Sequence, residues 1–550
     1  MPVALTTPGV YIQEEPSSVH TITGVPTAVA AFVGFAPQGP VDVSVHVNSW
    51  AEYERSFGGL APSSELSYAV YLFFVNGGSS AEIVRTNGVD ASGNSVPPVS
   101  ASITADSVVL TATSPGSWAN TLGVKIDNTQ YPIAPAGKPE QQLFDLTIAD
   151  LGGAAARTVE QYPRLTINTI VAQLSGSQYL TVATKPAAAP RPKDPGDSTD
   201  PKALYYQVPP EPPAGGPAPA AGAGGAAPAA GAGGPAPAAA PPGARGTDVA
   251  AGTKPMIVGD PATHTGMYAL DLANIFNMLC IPSPKGSRPV ADLSVVAKYC
   301  ADKRAMLIVD PPDDWTSDKM GFSLLNTLPV TGQNAPNAAV YFPNIQVLPG
   351  PGSSTPVDKA PCGAVAGLWA ATDAARGVWK APAGTAVGIS GIASLSDHVD
   401  DSVSGNANPF AVNCLRSLPL YGPVIWGART CDGADDVGSQ WKYIPVRRTA
   451  LFIEESLRRG TQWIVFEPND EPLWAAIRLN VGAFMNSLFR QGAFQGSTPR
   501  EAYLVKCDAE NNPQNDIDLG IVNILVGFAP LKPAEFVIIH IQQLAGQLQV

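Results

Sequence analysis

Two hydrophobic rhythms alternate along this 550-residue chain. Short apolar runs bounded by turn residues, "TAVAAFVGFA" and "AEIVRT", read as buried strands. Between them "ELSYAVYLFFVNGG" is a helix-like stretch. Strand, helix, strand is a βαβ unit. The same texture returns further on. "NIFNMLCIP", "AMLIVDPP" and "NAAVYFPNI" predict strands. "VADLSVVAKYCADKR" and "GAVAGLWAATDAARGVW" predict helices, the first ending on Lys303 and Arg304 as a helix C-terminus favours. Residues 26–98 and 256–400 are therefore expected to form one discontinuous α/β domain.

What lies between those halves has two other textures. Residues 99–184 ("VSASITADSVVLTAT", "LGVKIDN", "LFDLTIADLG", "YLTVAT") alternate in period two with frequent turns, which predicts a small β-rich insertion. Residues 185–255 contain "PAPAAGAGGAAPAAGAGGPAPAAAPPGARG". Such a segment lacks the side chains needed to offset its ordering entropy and reads as a flexible excursion.

The last part, residues 401–541, predicts an α+β domain. "VRRTALFIEESLRRGTQWIVFE" reads as helix then strand. "NDEPLWAAIRLNVGAFMNSLFRQGAF" opens with Asn469 or Asp470 as N-cap and Glu471-Pro472 in the first turn. Its apolar residues Leu473, Ile477, Val481, Phe484 and Leu488 mark one buried face. "AYLVKC", "GIVNILVGFA" and "EFVIIHI" then predict an antiparallel meander. Residues 542–550 follow as a polar-apolar tail, a template for pairing if left open.

Composition narrows the partners. Charged residues make up only 14% of the chain and apolar residues 45%, a surface less costly to bury against neighbours than the usual one. The net charge of −13 argues against nucleic acid, since phosphate contacts need clustered Lys and Arg. From position 441 onward there are ten Lys/Arg and eleven Asp/Glu, so −12 of the −13 lies earlier. A near-neutral carboxy-terminal part suits packing into an assembly. The start of the chain carries no basic and apolar leader pattern. Runs of about 18 apolar residues are absent, so no spanning helix is expected. Six scattered cysteines without a C-x-x-C pair predict reduced thiols rather than zinc or a disulfide framework.

Catalytic motifs are missing: no phosphate-binding loop, no H-E-x-x-H, no G-x-S-x-G. Asp310 at a strand end, Ser390 and His398 are the residues from which a hydrolytic triad would have to be built, but none has a nucleophile-elbow context. No enzyme activity, cofactor or metal is expected.

Several segments, in order, resemble one family. These are Pro8-Gly9-Val10-Tyr11, the run from Thr27 to Gly34, Gly39-Pro40, "WAEYERSFGG", "SPGSWANTLGVKI", "TGMYALDLANIFNMLCIP", "YCADKRAMLIVDPP" and "RRTALFIEESLRRGTQWIVFEPNDEPLWAAIRLNVGAFMNSLFRQGAFQGSTPREAYLVKCD". Together they are similar to contractile tail sheath proteins over nearly the whole chain. The Ala/Pro/Gly segment departs from that pattern. The resemblance implies a subtilisin-like outer α/β domain with no protease role. It also implies a carboxy-terminal core domain whose sheet is completed by terminal strands exchanged with neighbours. It implies a homo-oligomer of stacked helical rings around an inner tube, with baseplate and terminal cap proteins as further partners and no direct membrane insertion. Assembly would take place in a bacterial cytoplasm, on a phage-tail-like injection particle or a true phage tail. By the same resemblance, residues 1–25 form an amino-terminal arm packed on the carboxy-terminal domain. Val10, Tyr11, Ile12 and Gln13 are its exchanged strand, and Gln543, Leu544, Leu548 and Val550 lie on the carboxy-terminal one. The acceptor strands would be 519–529 and 536–541, with Ile524, Val526, Phe536 and Ile538 on them. The helix over 473–489 is the expected tube-facing element, with Arg478 or Arg490 either offering charge to the tube or merely solvating the helix.

Overall fold

A computed structural model describes residues 20–90, 95–131, 142–185, 191–196, 200, 202–209, 244–248, 254–289, 291–320, 328–349 and 354–540. Its centre is an eight-stranded sheet built from β1 (Ala30–Gly34), β2 (Ser44–Val47), β3 (Ala81–Arg85), β4 (Met278–Cys280), β5 (Met306–Val309), β6 (Ala338–Phe342), β7 (Val412–Leu418) and β8 (Gly422–Trp426). The spatial order is β2-β3-β1-β4-β5-β6-β7-β8. All inner pairs are parallel, with Phe32 opposite Ile83, Ala30 opposite Met278 and Tyr341 opposite Asn413. Only the two edge strands run antiparallel.

Both faces are covered, which is why the inner strands are apolar without alternation. On one face Ala30, Phe32, Met278, Cys280, Met306, Ile308 and Tyr341 pack with α1 (Glu65–Val75) and α3 (Cys362–Arg376). Their neighbours Ala31, Val33, Leu279, Leu307 and Val340 pack on the other face with α2 (Leu293–Asp302). The starts of α1 and α2 are capped by side chains. The Ser64 side chain accepts from the Ser67 N–H and the Asp292 side chain from the Ser294 N–H. Helices α1 and α3 cross closely at Gly363, where a Cβ would stand 2.1 Å from the Ala69 carbonyl oxygen.

The expected boundary at 400 is displaced. Strands β7 and β8 extend the α/β sheet to Trp426, so this domain continues past the position where the α+β domain was expected to begin. The reason is local: the second half of β7, Arg416 to Leu418, is only partly buried, so Arg416 and Ser417 dilute its apolar signal.

The insertion has its own core of Ile103, Leu110, Val124, Phe144, Leu146, Ile148 and Leu180 between two small sheets. The excursion expected over 185–255 is narrower in the described residues. Tyr206–Gln207 pairs with Val124 and Gly123, and Val208 is buried in the insertion core. On the far side Thr247 bridges Val99 and the Gly246 carbonyl accepts from Asn120. The flanks thus carry Tyr and Val side chains that the Ala/Pro/Gly stretch lacks, and they dock. Arg245 donates to the Pro209 carbonyl at 3.1 Å, so the two flanks meet.

In the carboxy-terminal part, α4 (Ile444–Gly460) and α5 (Glu471–Arg490) stack over β9 (Tyr503–Lys506) and β10 (Leu525–Phe528). Asp470 is the N-cap of α5, accepting from the Leu473 N–H. Its neighbour Asn469 instead accepts from the Trp474 indole at 2.9 Å and donates to the Ile521 carbonyl. The strand expected in "WIVFE" is absent. Gln462–Ile464 forms a 3-10 turn, and Phe466 is exposed at φ +72°. Here Trp463 stacks on His20 at 4.2 Å, so its apolar surface is spent on the incoming chain and not on a sheet. Residues 20–25 do pack on this domain: Ile22 is buried among α4 and α5 residues and the Val25 N–H donates to Ser456 Oγ.

Candidate assembly interface

The β9–β10 pair forms a two-stranded sheet, with Tyr503 opposite Phe528 and Val505 opposite Val526. Those four residues face the α5 core, together with Ile524. Leu504 and Leu525 occupy the opposite face and are half exposed. No third strand joins this sheet among the described residues. Val526 lies on β10 and Ile524 immediately before it.

Phe536 and Ile538 are not on it. Residues 536–540 carry no strand pairing, and Phe536, Val537, Ile538 and Ile539 are 74–80% exposed. β-forming composition proposes a strand, but a strand needs a ladder partner, and these residues find none within the described subunit. Residues 10–13 and 543–550 lie outside the described residues.

The segment that carries this apolar run is held at one point. Arg429, 1% exposed, donates from Nε and Nη2 to the two Glu535 carboxylate oxygens at 2.8 and 2.7 Å. Tyr443 Oη donates to the same carboxylate at 3.2 Å, and Asp435 takes a further Arg429 bond at 2.9 Å. A bidentate, desolvated pair of this kind fixes direction as well as position. Immediately after it the chain runs out into an exposed apolar stretch. Arg429 and Glu535 are 106 residues apart, and neither stands out in the sequence.

Of the two arginines expected to meet a tube, Arg478 is committed within the subunit. It pairs with Glu471 at 2.6 Å and donates to the Cys507 carbonyl. Arg490, at the exposed end of α5, has no ion pair among the described residues.

The residues considered for catalysis are not brought together. Asp310 is buried and accepts from the Cys362 N–H at 2.9 Å. Burial pushes its carboxyl up to about 6, against the pull of Arg288 and the Cys362 N–H. Ser390 and His398 are exposed; Ser390 N–H donates to Asn76 and His398 N–H to Asp397. No hydrogen bond connects these three side chains. Among the described residues no cluster of His, Cys, Asp or Glu is placed to hold a metal, and no helix is long and apolar enough to cross a membrane.

Among the described residues the subunit thus presents a doubly wound α/β unit, a two-stranded sheet and an exposed apolar run from Phe536 to Ile539. Residues 436–543 match the family model of the phage tail sheath C-terminal domain. A Pseudomonas aeruginosa prophage protein, named as a major tail sheath protein, is 24% identical over 282 residues, half of this chain and 67% of its own length. The fold matches end to end the contracted sheath of an extracellular contractile injection system, PVC, with a TM-score of 0.55, 19% identity and 99% of each chain covered. It also matches the contracted helical sheath of the anti-feeding prophage, with a TM-score of 0.54, 21% identity, and 98% of this chain and 100% of that one covered. The chain thus carries a match to the phage tail sheath C-terminal domain over residues 436–543 and is similar in sequence and fold to contractile tail sheath proteins.

Proposed function

We propose that this chain is the sheath subunit of a phage-tail-like contractile injection system. It polymerises as helical rings around an inner tube, between a baseplate and a terminal cap, after assembly in a bacterial cytoplasm. On triggering, the lattice shortens and widens and drives the tube through a target envelope. The role is structural and the α/β unit serves as a subtilisin-like frame. The observation that carries this reading is the end-to-end likeness to the sheath of an extracellular injection system.

Neighbours are joined by strand addition. The arms around Val10, Tyr11, Ile12 and Gln13 and around Gln543, Leu544, Leu548 and Val550 extend the β9–β10 sheet of adjacent copies. The free sheet edges and the exposed run Phe536 to Ile539 support this. About five ladder bonds at roughly 0.5–1.5 kcal/mol net each give a few kcal/mol per arm. That is enough to keep copies linked while their bodies rotate. Arg490 is the tube-facing cation of α5.

Electron microscopy of the expressed chain tests the function. Striated hollow cylinders are expected, and a monodisperse monomer under all assembly conditions would refute it. Removing residues 543–550 should leave a folded subunit that forms no cylinders; normal cylinders would refute the arm assignment. Particles isolated from the native host without capsids would distinguish an injection system from a phage tail.

A further inference from the structure

A recess of about 30 Å³ lies at the carboxy ends of β4 and β5, lined by Ile281, Ser283, Arg288, Val309 and Asp310 among others. Strand order reverses beside it, where β1 takes β3 on one edge and β4 on the other. Open α/β sheets bind their ligands at this end of the strands. Sites for small organic molecules measure roughly 300–1,000 Å³, so none of that class fits here. A water needs about 10–15 Å³, so the recess has room for one or two.

Two charged side chains on its walls are incompletely bonded. Asp310 Oδ1 accepts from the Cys362 N–H at 2.9 Å, but the buried Oδ2 has no hydrogen bond among the described residues. Arg288 is used almost fully. Its Nε donates to the Ser283 carbonyl and its backbone N–H to Asp313, each at 2.7 Å, and Nη1 donates to Asn344 Oδ1. Only Nη2, also buried, bonds to nothing among the described residues. No ion pair joins Arg288 to Asp310, yet the guanidinium is near enough to pull the carboxyl down against its burial. A polar separation too long for a direct bond is the place for a bridging water, and a buried charge left unbonded is costly.

The chemistry of the two groups selects the occupant. With its carboxyl raised only to about 6, Asp310 is mainly ionised at pH 7 and solely an acceptor. Arg288 is solely a donor. A bound cation would face the guanidinium, and a bound anion the carboxylate. Glu65, the other acid that acts on Asp310, is itself paired with Lys359 at 2.6 Å. What donates to one group and accepts from the other, in this volume, is water. We propose that the recess is a hydration site in which one or two ordered waters bridge Arg288 Nη2 and Asp310 Oδ2. The bridge completes the fastening of the loop after β4, where the Gly286 and Arg288 N–H groups donate to Asp313 and Lys285 pairs with Asp358 at 2.7 Å. The end of the sheet where an α/β enzyme receives its substrate is thus filled by a solvent-bridged ion pair.

A crystal structure of the full-length subunit at pH 7, at a resolution that shows ordered solvent, tests this. Peaks are expected that link the two groups in an unbroken chain of contacts of about 2.5–3.2 Å. A direct contact between Arg288 and Asp310, or a recess without density, would overturn the proposal. So would density that strengthens when bromide replaces chloride in the buffer, since that marks an anion. Asp310→Leu and Arg288→Met each remove one end of the bridge, and the linking peaks should be lost in either variant. Peaks that stay in place in both would show that other groups hold the water, and the bridge would fall. Should a variant fail to fold, the wild-type density still decides.

Discussion

Asp373→Ala should weaken the subunit by about 3 kcal/mol. Asp373 on α3 and Arg448 on α4 form a bidentate pair at 2.8 and 2.6 Å, their side chains 2% and 3% exposed. Arg448 also donates to the Thr27 carbonyl at 3.0 Å and sits 4.8 Å from the Trp369 ring centroid. Removing one partner of a buried pair costs about 3–5 kcal/mol, because the other charge is left desolvated. The carbonyl and the ring face retain part of that, on the order of 1 kcal/mol, which sets the figure at the lower end. The assay is denaturant unfolding below the assembly concentration, followed by tryptophan fluorescence, since Trp369 touches the pair. The midpoint should fall with the slope unchanged. Replacing both partners, Asp373→Leu with Arg448→Met, should recover most of the loss, because an apolar pair has no charge to strand. A loss below about 1 kcal/mol for the single variant, or a double variant no better than the single, would refute the reasoning.

Four further outcomes can be stated from the structure. Asp310 has its carboxyl raised to about 6 from an ordinary 3.8, chiefly by burial. Between those values the folded state binds more protons than the unfolded one, so stability falls as pH rises through that window. Asp310→Asn should flatten this slope and stabilise the subunit at pH 7 by up to about 3 kcal/mol, measured by unfolding across pH 4 to 7. Gly363→Ala should push α1 from α3 and lower stability by about 1–3 kcal/mol, read as a lower melting temperature; an unchanged melt would mean the crossing can open without cost. Replacing residues 210–243 by a short Gly-Ser link should leave folding and cylinders intact, since Pro209 and Arg245 already touch. Cutting back to 190–250 should loosen the insertion by removing Val208 and the Tyr206–Gln207 pairing, detectable as faster proteolysis of residues 99–184.

The doubly wound frame was legible because strands buried on both faces must be continuously apolar, as β1, β5 and β6 are. Edge strands escape that rule. The edge strand β8, with β7 beside it whose second half is only partly buried, therefore fell on the wrong side of the expected boundary, and the other edge strand, β2 (Ser44–Val47), was not anticipated at all. "WIVFE" and "EFVIIHI" show the opposite error. Both have strand composition, but pairing partners decide the outcome, and Trp463 found His20 while Phe536 found nothing within the described subunit. A basic cleft was invisible for a topological reason. Arg376, Lys380 and Lys532 are ordinary surface cations in the sequence and come to line one cleft, of about 1000 Å³, only when the carboxy-terminal segment returns past the end of α3. The Arg429–Glu535 anchor is hidden by the same separation.

The order of strands in the large sheet also sets a schedule for synthesis. Ala30 in β1 pairs with Ala81 on one side and with Met278 on the other. Domains fold as the chain leaves the ribosome, amino-terminal parts first. β1 and β3 can therefore meet early, but the second edge of β1 must wait until β4 emerges. During that interval the insertion, which has a core of its own, is already complete. The nascent chain thus carries one finished β domain hung on a half-built sheet with an apolar edge open to pairing. Translation speed between codons 98 and 278 is the period in which this subunit is most exposed to misassembly, well before any neighbour is present to receive its arms.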